Sequence, residues 1–327
     1  MPRTDLPLAE LWGWRPELSE PEDLDHFWAR TLAEQDEDLD VRLELVHSGL
    51  VTIETYDVTF AGHGGDPIRA WLHLPAAGIG RTEPLPGVVQ FMGYNGGRGL
   101  PHEHTFWAQA GYAHLVMDTR GQGSGWATGD TPDPTPTGPA QPGFLTRGIT
   151  SPADHYYTRV YVDAVRAVGV LRSHELVDAG RVAVAGISQG GGIALAVAGL
   201  TSGGAAPVTA VLADVPFGCH FRRAVEIAPG DPYAEVARYL AAHRDQVERV
   251  FATLGYLDAA VLGRRAVAPA LFSVAMMDQI CPPSTVFAAY HSYGGPKEIE
   301  VYEFNDHEGG DAFQQRRQLD WLAAVLG

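Results

Sequence analysis

The sequence has little cysteine and no long apolar run. Its two cysteines, Cys219 and Cys281, are too few for a disulfide framework and do not form a C-x-x-C metal or redox motif. Free thiols are typical of a reducing compartment, so we expect a cytoplasmic protein. No charge-free apolar stretch reaches about 18 residues, and the acidic N-terminus lacks the apolar region of a secretory signal. Neither a membrane span nor export is predicted.

Positive charge is also scarce. Lysine and arginine total 23 against 40 aspartates and glutamates, which gives a formal net charge of −17. An acidic surface repels nucleic acid and anionic membranes, so neither is an expected partner. A small neutral or cationic substrate is compatible with this charge.

The hydrophobic pattern changes along the chain. An amphipathic helix is predicted over residues 21–36, and residues 41–75 alternate as antiparallel strands. Beyond them, buried strands alternate with helices, which predicts an α/β fold with a mostly parallel central sheet and helices on both faces. We expect one domain over residues 1–327, with 1–40 as an N-terminal helical extension and 231–262 as a helical excursion.

A long segment rich in proline, glycine and threonine interrupts this alternation at residues 127–150. It predicts an irregular loop, and loops of this length inside a domain are usually functional or mobile. The sequence does not indicate the role of its 127–148 part.

The run RVAVAGISQGGGIALAVA carries the strongest chemical signal. It predicts a strand, a sharp turn with the pattern Gly-x-Ser-x-Gly, and a helix. This context is typical of a nucleophilic serine lifted above the carboxyl ends of the strands, so Ser188 is the predicted nucleophile. The backbone amide of Gln189, at the start of the helix, is a candidate oxyanion donor. A purely structural glycine turn is the alternative.

A serine nucleophile needs a base and an orienting acid, which in this fold follow in the order acid, then histidine. His307 directly follows the last predicted strand and is the candidate base. Asp278 ends the preceding predicted strand, ALFSVAMMD, and is the candidate acid. Asp306 is the rival acid, and Asp214 is interpreted as a structural carboxylate.

An earlier strand, PGVVQFM, is followed by a glycine-rich turn. The backbone amide of Tyr94 in that turn is the second candidate oxyanion donor. Arg120 follows the next strand and is interpreted as a structural cation that pairs with a buried carboxylate. The cluster at 102–104 (HEH) lacks a third ligand and helical spacing, so no metal site is predicted. No cofactor is predicted either.

Taken together, the segments FMGYNGG, MDTRGQGSG, GISQGGG, MMDQICPPSTVFAAY and FNDHEGG resemble the acetyl xylan esterase and cephalosporin C deacetylase family of carbohydrate esterases. The resemblance spans essentially the whole chain. It implies an α/β-hydrolase fold and an intracellular, metal-independent enzyme that deacetylates small xylo-oligosaccharides and cephalosporin C. It places the nucleophile, acid and base on Ser188, Asp278 and His307, and the oxyanion amides on Tyr94 and Gln189.

The resemblance also implies assembly into a homohexamer. Within the same fold, a peptidase or a lactone hydrolase is the alternative function. From another class, the alternative is a non-catalytic α/β-hydrolase-fold protein that only binds its ligand, against which the complete triad argues.

Overall fold

One mixed sheet of nine strands organises the chain. The computed structural model describes residues 3–78, 84–204 and 206–327, and every strand in those residues belongs to this sheet. In chain order the strands are β1 (Arg42–Val46), β2 (Ile53–Ala61), β3 (Pro67–Pro75), β4 (Leu85–Phe91), β5 (Ala113–Met117), β6 (Val177–Ile187), β7 (Ala210–Asp214), β8 (Ala270–Ala275) and β9 (Lys297–Tyr302).

The strands lie in the spatial order β1-β2-β3-β5-β4-β6-β7-β8-β9. The pairs β1–β2, β2–β3 and β3–β5 are antiparallel, and every pair from β5 to β9 is parallel. The predicted α/β-hydrolase fold with an antiparallel N-terminal β region is therefore confirmed. Because parallel strands end at one edge of a sheet, the loops that follow β4, β6, β7, β8 and β9 meet there.

Eleven α-helices occur in the described residues, together with three single 3₁₀ turns. The helices are α1 (Leu8–Leu11), α2 (Leu24–Ala33), α3 (Phe106–Gln109), α4 (Tyr156–Ser173), α5 (Gln189–Thr201), α6 (Phe221–Ile227), α7 (Tyr233–Ala242), α8 (Val247–Gly255), α9 (Ala259–Leu262), α10 (Pro283–Ser292) and α11 (Asp311–Leu326). Among the described helices, none combines the length and the apolar character needed to cross a bilayer.

Helices cover both faces of the sheet, and strand β6 shows how the sequence supports this. Val182 and Val184 pack into the core beneath α4 and α5, whereas Ala183 and Ala185 pack into a second core beneath α3 and α11. Side chains alternate between faces along a strand, so a strand buried on both sides is apolar at successive positions. The run VAVA therefore places β6 at the centre of the molecule.

The structure contains the predicted elements, with some differences in extent. Residues 127–150 form no helix or strand, as expected, and α7, α8 and α9 lie within the predicted excursion at 231–262. Helices α6 and α10 were not predicted. Helix α10 is buried from Pro283 to Ala289, so it lacks the apolar-to-polar period that identifies a surface helix. Strand β8 ends at Ala275, so the prediction that Asp278 ends this strand was wrong.

Arg120 has the structural role that its position predicted. Its side chain is fully buried, and its guanidinium donates to both carboxylate oxygens of Asp163 at 2.6 and 2.8 Å and to Asp66 at 2.8 Å. A buried guanidinium is tolerated only when its donors are satisfied in this way. The pairing joins the loop after β5 to α4 and to the turn between β2 and β3.

Candidate active site

Ser188 lies at a strained turn between β6 and α5. Its backbone has φ 58° and ψ −120°, a region that non-glycine residues rarely adopt. Its amide donates to the Asp214 carbonyl, and its own carbonyl accepts from the amides of Gly192 and Phe217. These bonds over-determine the turn and hold the serine at the carboxyl edge of the sheet.

The two glycines of the Gly-x-Ser-x-Gly pattern are sterically required. A Cβ atom on Gly186 would lie 2.2 Å from the carbonyl carbon of Gly190. A Cβ atom on Gly190 would lie 2.1 Å from the Phe91 carbonyl oxygen. Both contacts are with backbone, which cannot move aside cheaply. The pattern therefore reflects the close approach of β4, β6 and α5 around Ser188.

Asp278 and His307 are hydrogen-bonded to each other, as their order in the sequence predicted. His307 Nδ1 and Asp278 Oδ2 are 2.8 Å apart. The other carboxylate oxygen, Oδ1, accepts from the amides of Ile280 at 2.8 Å and Cys281 at 2.9 Å. The turn after β8 thus fixes a buried carboxylate, and that carboxylate orients the imidazole.

Ser188 and His307 line one cavity of about 330 Å³, together with Tyr94, Trp126 and Ile280. The hydrogen bonds among the described residues do not include one between the Ser188 hydroxyl and His307. In unliganded enzymes such catalytic contacts are often long and tighten only when substrate binds. The structure therefore brings the predicted nucleophile and base to one cavity, with the predicted acid behind the base.

The Tyr94 turn and the Gln189 helix start flank Ser188. Within the described residues, neither backbone amide donates to a protein acceptor. The side chain of Gln122 connects the two, because its carbonyl oxygen accepts from the Asn95 amide at 2.6 Å and its amide donates to Gln189 Oε1 at 2.8 Å. Two free backbone donors, one on the residue that follows Ser188 and one on Tyr94, which lines the cavity of Ser188, are what an oxyanion hole requires.

Trp126 holds the Tyr94 turn from the solvent side. Its indole Nε1 donates to the Tyr94 carbonyl at 3.0 Å. The ring lies against the turn so closely that a Cβ atom on Gly96 would meet it at 2.3 Å. Trp126 is also 58% exposed and lines the cavity of Ser188. The same side chain therefore braces the predicted oxyanion turn and forms a wall of the cavity.

Cys281 lies beside Asp278 and His307, the predicted acid and base. One ligand-capable atom from each of Asp278, Cys281 and His307 lies within 4.8 Å of the others, the only such group of three in the described part of the chain. Burial raises the pKa of the Cys281 thiol well above its ordinary value, against an opposing hydrogen bond from Ser188. Asp278 and His307 are already hydrogen-bonded to each other. We therefore interpret this group as the predicted acid and base with the neutral thiol of Cys281 packed against them.

Within the described residues, neither Asp306 nor Asp214 bonds to the His307 ring. The backbone amide of Asp306 donates to Glu308, and the His307 ring bonds to Asp278 instead. The Asp214 side chain accepts from the amides of Gln314 and Gln318. Burial raises the pKa of Asp214 to about 6, and these bonds partly oppose the shift. Asp214 thus joins β7 to α11, in agreement with its predicted structural role.

Glu235 is a buried carboxylate beneath the site that sequence reasoning did not single out. It lies on α7 and accepts from the Tyr94 hydroxyl and from the Leu145 amide at 3.0 Å, while the Phe144 amide donates to the Tyr94 hydroxyl. One carboxylate thereby joins the Tyr94 turn, the long loop and the helical excursion. Burial raises the pKa of Glu235 to about 7, despite the hydrogen bond from Tyr94.

The raised pKa of Glu235 should make the unfolding free energy of the protein depend on pH. Because the folded protein binds the Glu235 proton more tightly than the unfolded chain, its contribution is full below pH 4.5 and is lost as pH rises through about 7. Nearby charges oppose each other, since Asp231 raises this pKa and Arg238 lowers it. When the pH is raised from 4.5 to 8, the parent should lose up to about 3 kcal/mol of unfolding free energy that Glu235→Gln does not lose.

Urea unfolding at the two pH values measures this gain. Any pH-independent effect of the glutamine side chain on stability cancels when the two pH values are compared. Glu226→Gln, an exposed glutamate on α6, serves as the control and should keep the parental pH dependence. A Glu235→Gln variant with the parental pH dependence would show that this carboxylate does not titrate in the folded state.

Three functional side chains were thus missed from the sequence, namely Gln122, Trp126 and Glu235. Gln122 belongs to the RGQ segment, so its place in a motif was visible although its bonds were not. Trp126 is an aromatic residue immediately before the long loop, which is a weak signal. Glu235 has no local signal, because its partners are about 90 and 141 positions away.

Known proteins similar to this chain were found by sequence and by structure. The family model for acetyl xylan esterase (AXE1) matches residues 1–325. The solved structure of an acetyl xylan esterase from Paenibacillus sp. R4 is 39% identical and superimposes with a TM-score of 0.89, covering 98% of this chain and 100% of that one. Acetyl xylan esterase 1 from Thermoanaerobacterium sp. JW/SL YS485 is 31% identical, with a TM-score of 0.85 and 98% coverage of both chains.

A curated relative is more distant and longer. The acetyl esterase Axe7A of Xylanibacter ruminicola is 28% identical over 218 residues, which cover 63% of this chain. The match covers 45% of that protein, so the chain spans about half the length of this relative.

Proposed function

The chain belongs to the acetyl xylan esterase family, and on that premise we propose that it is a serine esterase that removes acetyl groups from small acetylated substrates. The proposal rests chiefly on one observation. Ser188, buried and held in a strained turn, shares a cavity with His307, whose ring is hydrogen-bonded to the buried Asp278. Acetylated xylo-oligosaccharides are the proposed substrates, together with esters of the cephalosporin C type.

The proposed mechanism begins with acyl transfer to the serine. His307 accepts the hydroxyl proton of Ser188 as the oxygen attacks the acetyl carbonyl. Asp278 holds the imidazole in the tautomer with a proton on Nδ1 and stabilises the imidazolium that forms. The carbonyl oxygen becomes negative and is stabilised by the amides of Tyr94 and Gln189.

The second half of the cycle regenerates the free hydroxyl of Ser188. The imidazolium gives its proton to the leaving alcohol oxygen, the ester bond breaks, and an acetyl-enzyme remains. His307 then takes a proton from water, whose oxygen attacks the acetyl carbon, and acetate leaves as the proton returns to Ser188. No redox partner is needed, because every step moves only protons and an acyl group.

The walls of the cavity favour a short acyl group. Tyr94 is tied to Glu235, Trp126 is tied to the Tyr94 carbonyl, and Pro232 and Ile280 form part of the remaining wall. Side chains that are fixed by hydrogen bonds do not move aside cheaply for additional methylenes. We infer that the site accepts acetyl readily and longer chains poorly.

A series of p-nitrophenyl esters tests this proposal. The value of kcat/KM should fall by roughly tenfold or more between acetate and butyrate, since a pocket of fixed size discriminates by about that factor per misfit group. Acetate release from acetylated xylobiose and from cephalosporin C then tests the natural leaving groups. A flat acyl profile, or faster hydrolysis of aminoacyl anilides or lactones, would favour a peptidase or a lactone hydrolase.

A further inference from the structure

A second cavity lies beside the first. It encloses about 400 Å³ above the carboxyl ends of β4, β6 and β7. Ile187, the residue before the nucleophile, lines both cavities, and Glu308 in the second cavity directly follows His307. The two cavities therefore adjoin the catalytic pair from different sides.

The secondary structure explains why this space exists. Helix α3 has only four residues, Phe106–Gln109, and the facing helix α11 begins only at Asp311. Both helices pack on the same face of the sheet, but near the active-site edge they leave a gap. The floor of the gap is backbone and side chain from β4 and β6, including Gln90 and Ala185.

The lining is dominated by neutral amides. Five glutamines contribute, namely Gln90, Gln109, Gln314, Gln315 and Gln318. Each amide can both donate and accept hydrogen bonds, and Phe106 and Trp107 add apolar surface. None of the lining residues is a lysine or arginine, and three are carboxylates, so an anionic ligand is disfavoured.

Several of these polar groups have no protein partner. Within the described residues, the side chains of Asp311 and Gln315 make no hydrogen bond, and the buried Nε2 atom of His104 is also unpaired. Burial lowers the pKa of His104, so its ring is neutral at neutral pH. Gln314 and Gln318 are instead occupied with Asp214. The free groups lie where α3 and α11 face each other.

We propose that this second cavity is a subsite for a neutral sugar residue adjoining the one whose acetyl ester meets Ser188. Sugar hydroxyls donate and accept, which matches a lining of amides, carboxylates and a neutral imidazole. The volume lies within the range of about 300–1,000 Å³ typical of small-ligand pockets. The inference rests on the proposed function and adds to it a place where a neighbouring sugar residue of the proposed substrate binds.

Two substitutions of Gln315 test the subsite. Gln315 is exposed on the first turns of α11, so neither change disturbs the core. The readout is the kcat/KM for acetylated xylobiose divided by that for p-nitrophenyl acetate, which has no second sugar. Gln315→Ala should lower this ratio roughly fivefold through loss of a hydrogen bond. Gln315→Trp, which fills the space, should lower it by roughly tenfold or more.

The matched control is Arg316→Ala, the next residue on the helix, whose exposed side chain pairs with Asp320 and does not line the cavity. Its ratio should stay at the parental value. Deacetylated xylobiose should also inhibit the parent competitively and inhibit Gln315→Trp several-fold less.

The outcomes separate this inference from the proposed function. If the parent hydrolyses acetylated xylobiose and both Gln315 variants keep its ratio within twofold, the subsite is refuted and the esterase proposal stands. The same conclusion follows if Arg316→Ala lowers the ratio as strongly. If the parent hydrolyses p-nitrophenyl acetate but no acetylated sugar, the sugar substrate and the subsite both fail.

Discussion

Ser188→Ala should lower kcat for p-nitrophenyl acetate by a factor on the order of 10⁴–10⁶. The reason is local, because the strained turn exists to present one hydroxyl to the cavity that holds His307. Alanine keeps the backbone and removes the only atom that attacks. The loss should lie in kcat, since the cavity and both oxyanion amides remain.

The control for this variant is Ser202→Ala, at the opposite end of α5, where the Gly199 carbonyl is the hydroxyl's only hydrogen-bond partner among the described residues. It should keep kcat within about twofold, in line with ordinary surface substitutions. Urea unfolding should show both variants folded. Near-parental turnover by a folded Ser188→Ala would remove the serine from the mechanism.

Asp278→Asn should lower kcat by roughly 10⁴. The parental carboxylate accepts from three donors at once, namely the His307 ring and the amides of Ile280 and Cys281. An asparagine has only one acceptor oxygen. If that oxygen accepts from the two backbone amides, the NH2 group of the asparagine faces Nδ1 of His307. The NH2 group then donates to Nδ1, so the ring proton moves to Nε2 and the imidazole cannot accept the serine proton.

Asp306→Asn distinguishes the two candidate acids, since Asp306 precedes His307 in the chain but the ring bonds to Asp278. This variant should retain kcat within about threefold. A loss near 10⁴ in Asp306→Asn, with Asp278→Asn little affected, would reverse the assignment of the acid. Because both variants remove one negative charge, a general electrostatic effect would lower both alike.

The sharp turn that carries Ser188 and the fold class could be predicted because their signals are local. Gly186 and Gly190 mark a close backbone approach that only glycine allows, and they stand between a β-rich and an alanine-rich segment. The positions of Asp278 and His307 followed from the order of strands. Asp278 was found although the strand ends earlier, because the turn after β8 leads its carboxylate back toward His307.

The supporting groups could not be predicted, because they depend on contacts distant in sequence. Glu235 meets Tyr94 across 141 positions, and Gln122 meets Gln189 across 67. No pattern in either segment indicates such a partner. The buried helix α10 illustrates a different limit, since a helix buried on most sides has no polar face to reveal its period.

The long loop now has a structural role that its composition did not reveal. The residue before it, Trp126, bonds to the Tyr94 carbonyl, and Phe144 and Leu145 near its end bond to the Tyr94 hydroxyl and to Glu235. Its two ends therefore clamp the same turn. We infer that the loop keeps the Tyr94 amide in place, which links an irregular segment to the proposed catalytic step.

Acetylation of Ser188 during turnover is the step on which the proposed mechanism depends. Acid quenching within the first turnovers with p-nitrophenyl acetate, followed by peptide mass mapping, measures this directly. We predict up to one acetyl group per chain, located on the peptide that contains Ser188 and absent from Ser188→Ala. An acetyl group on another residue that forms and hydrolyses at the catalytic rate, with Ser188 unmodified, would exclude Ser188 as the nucleophile.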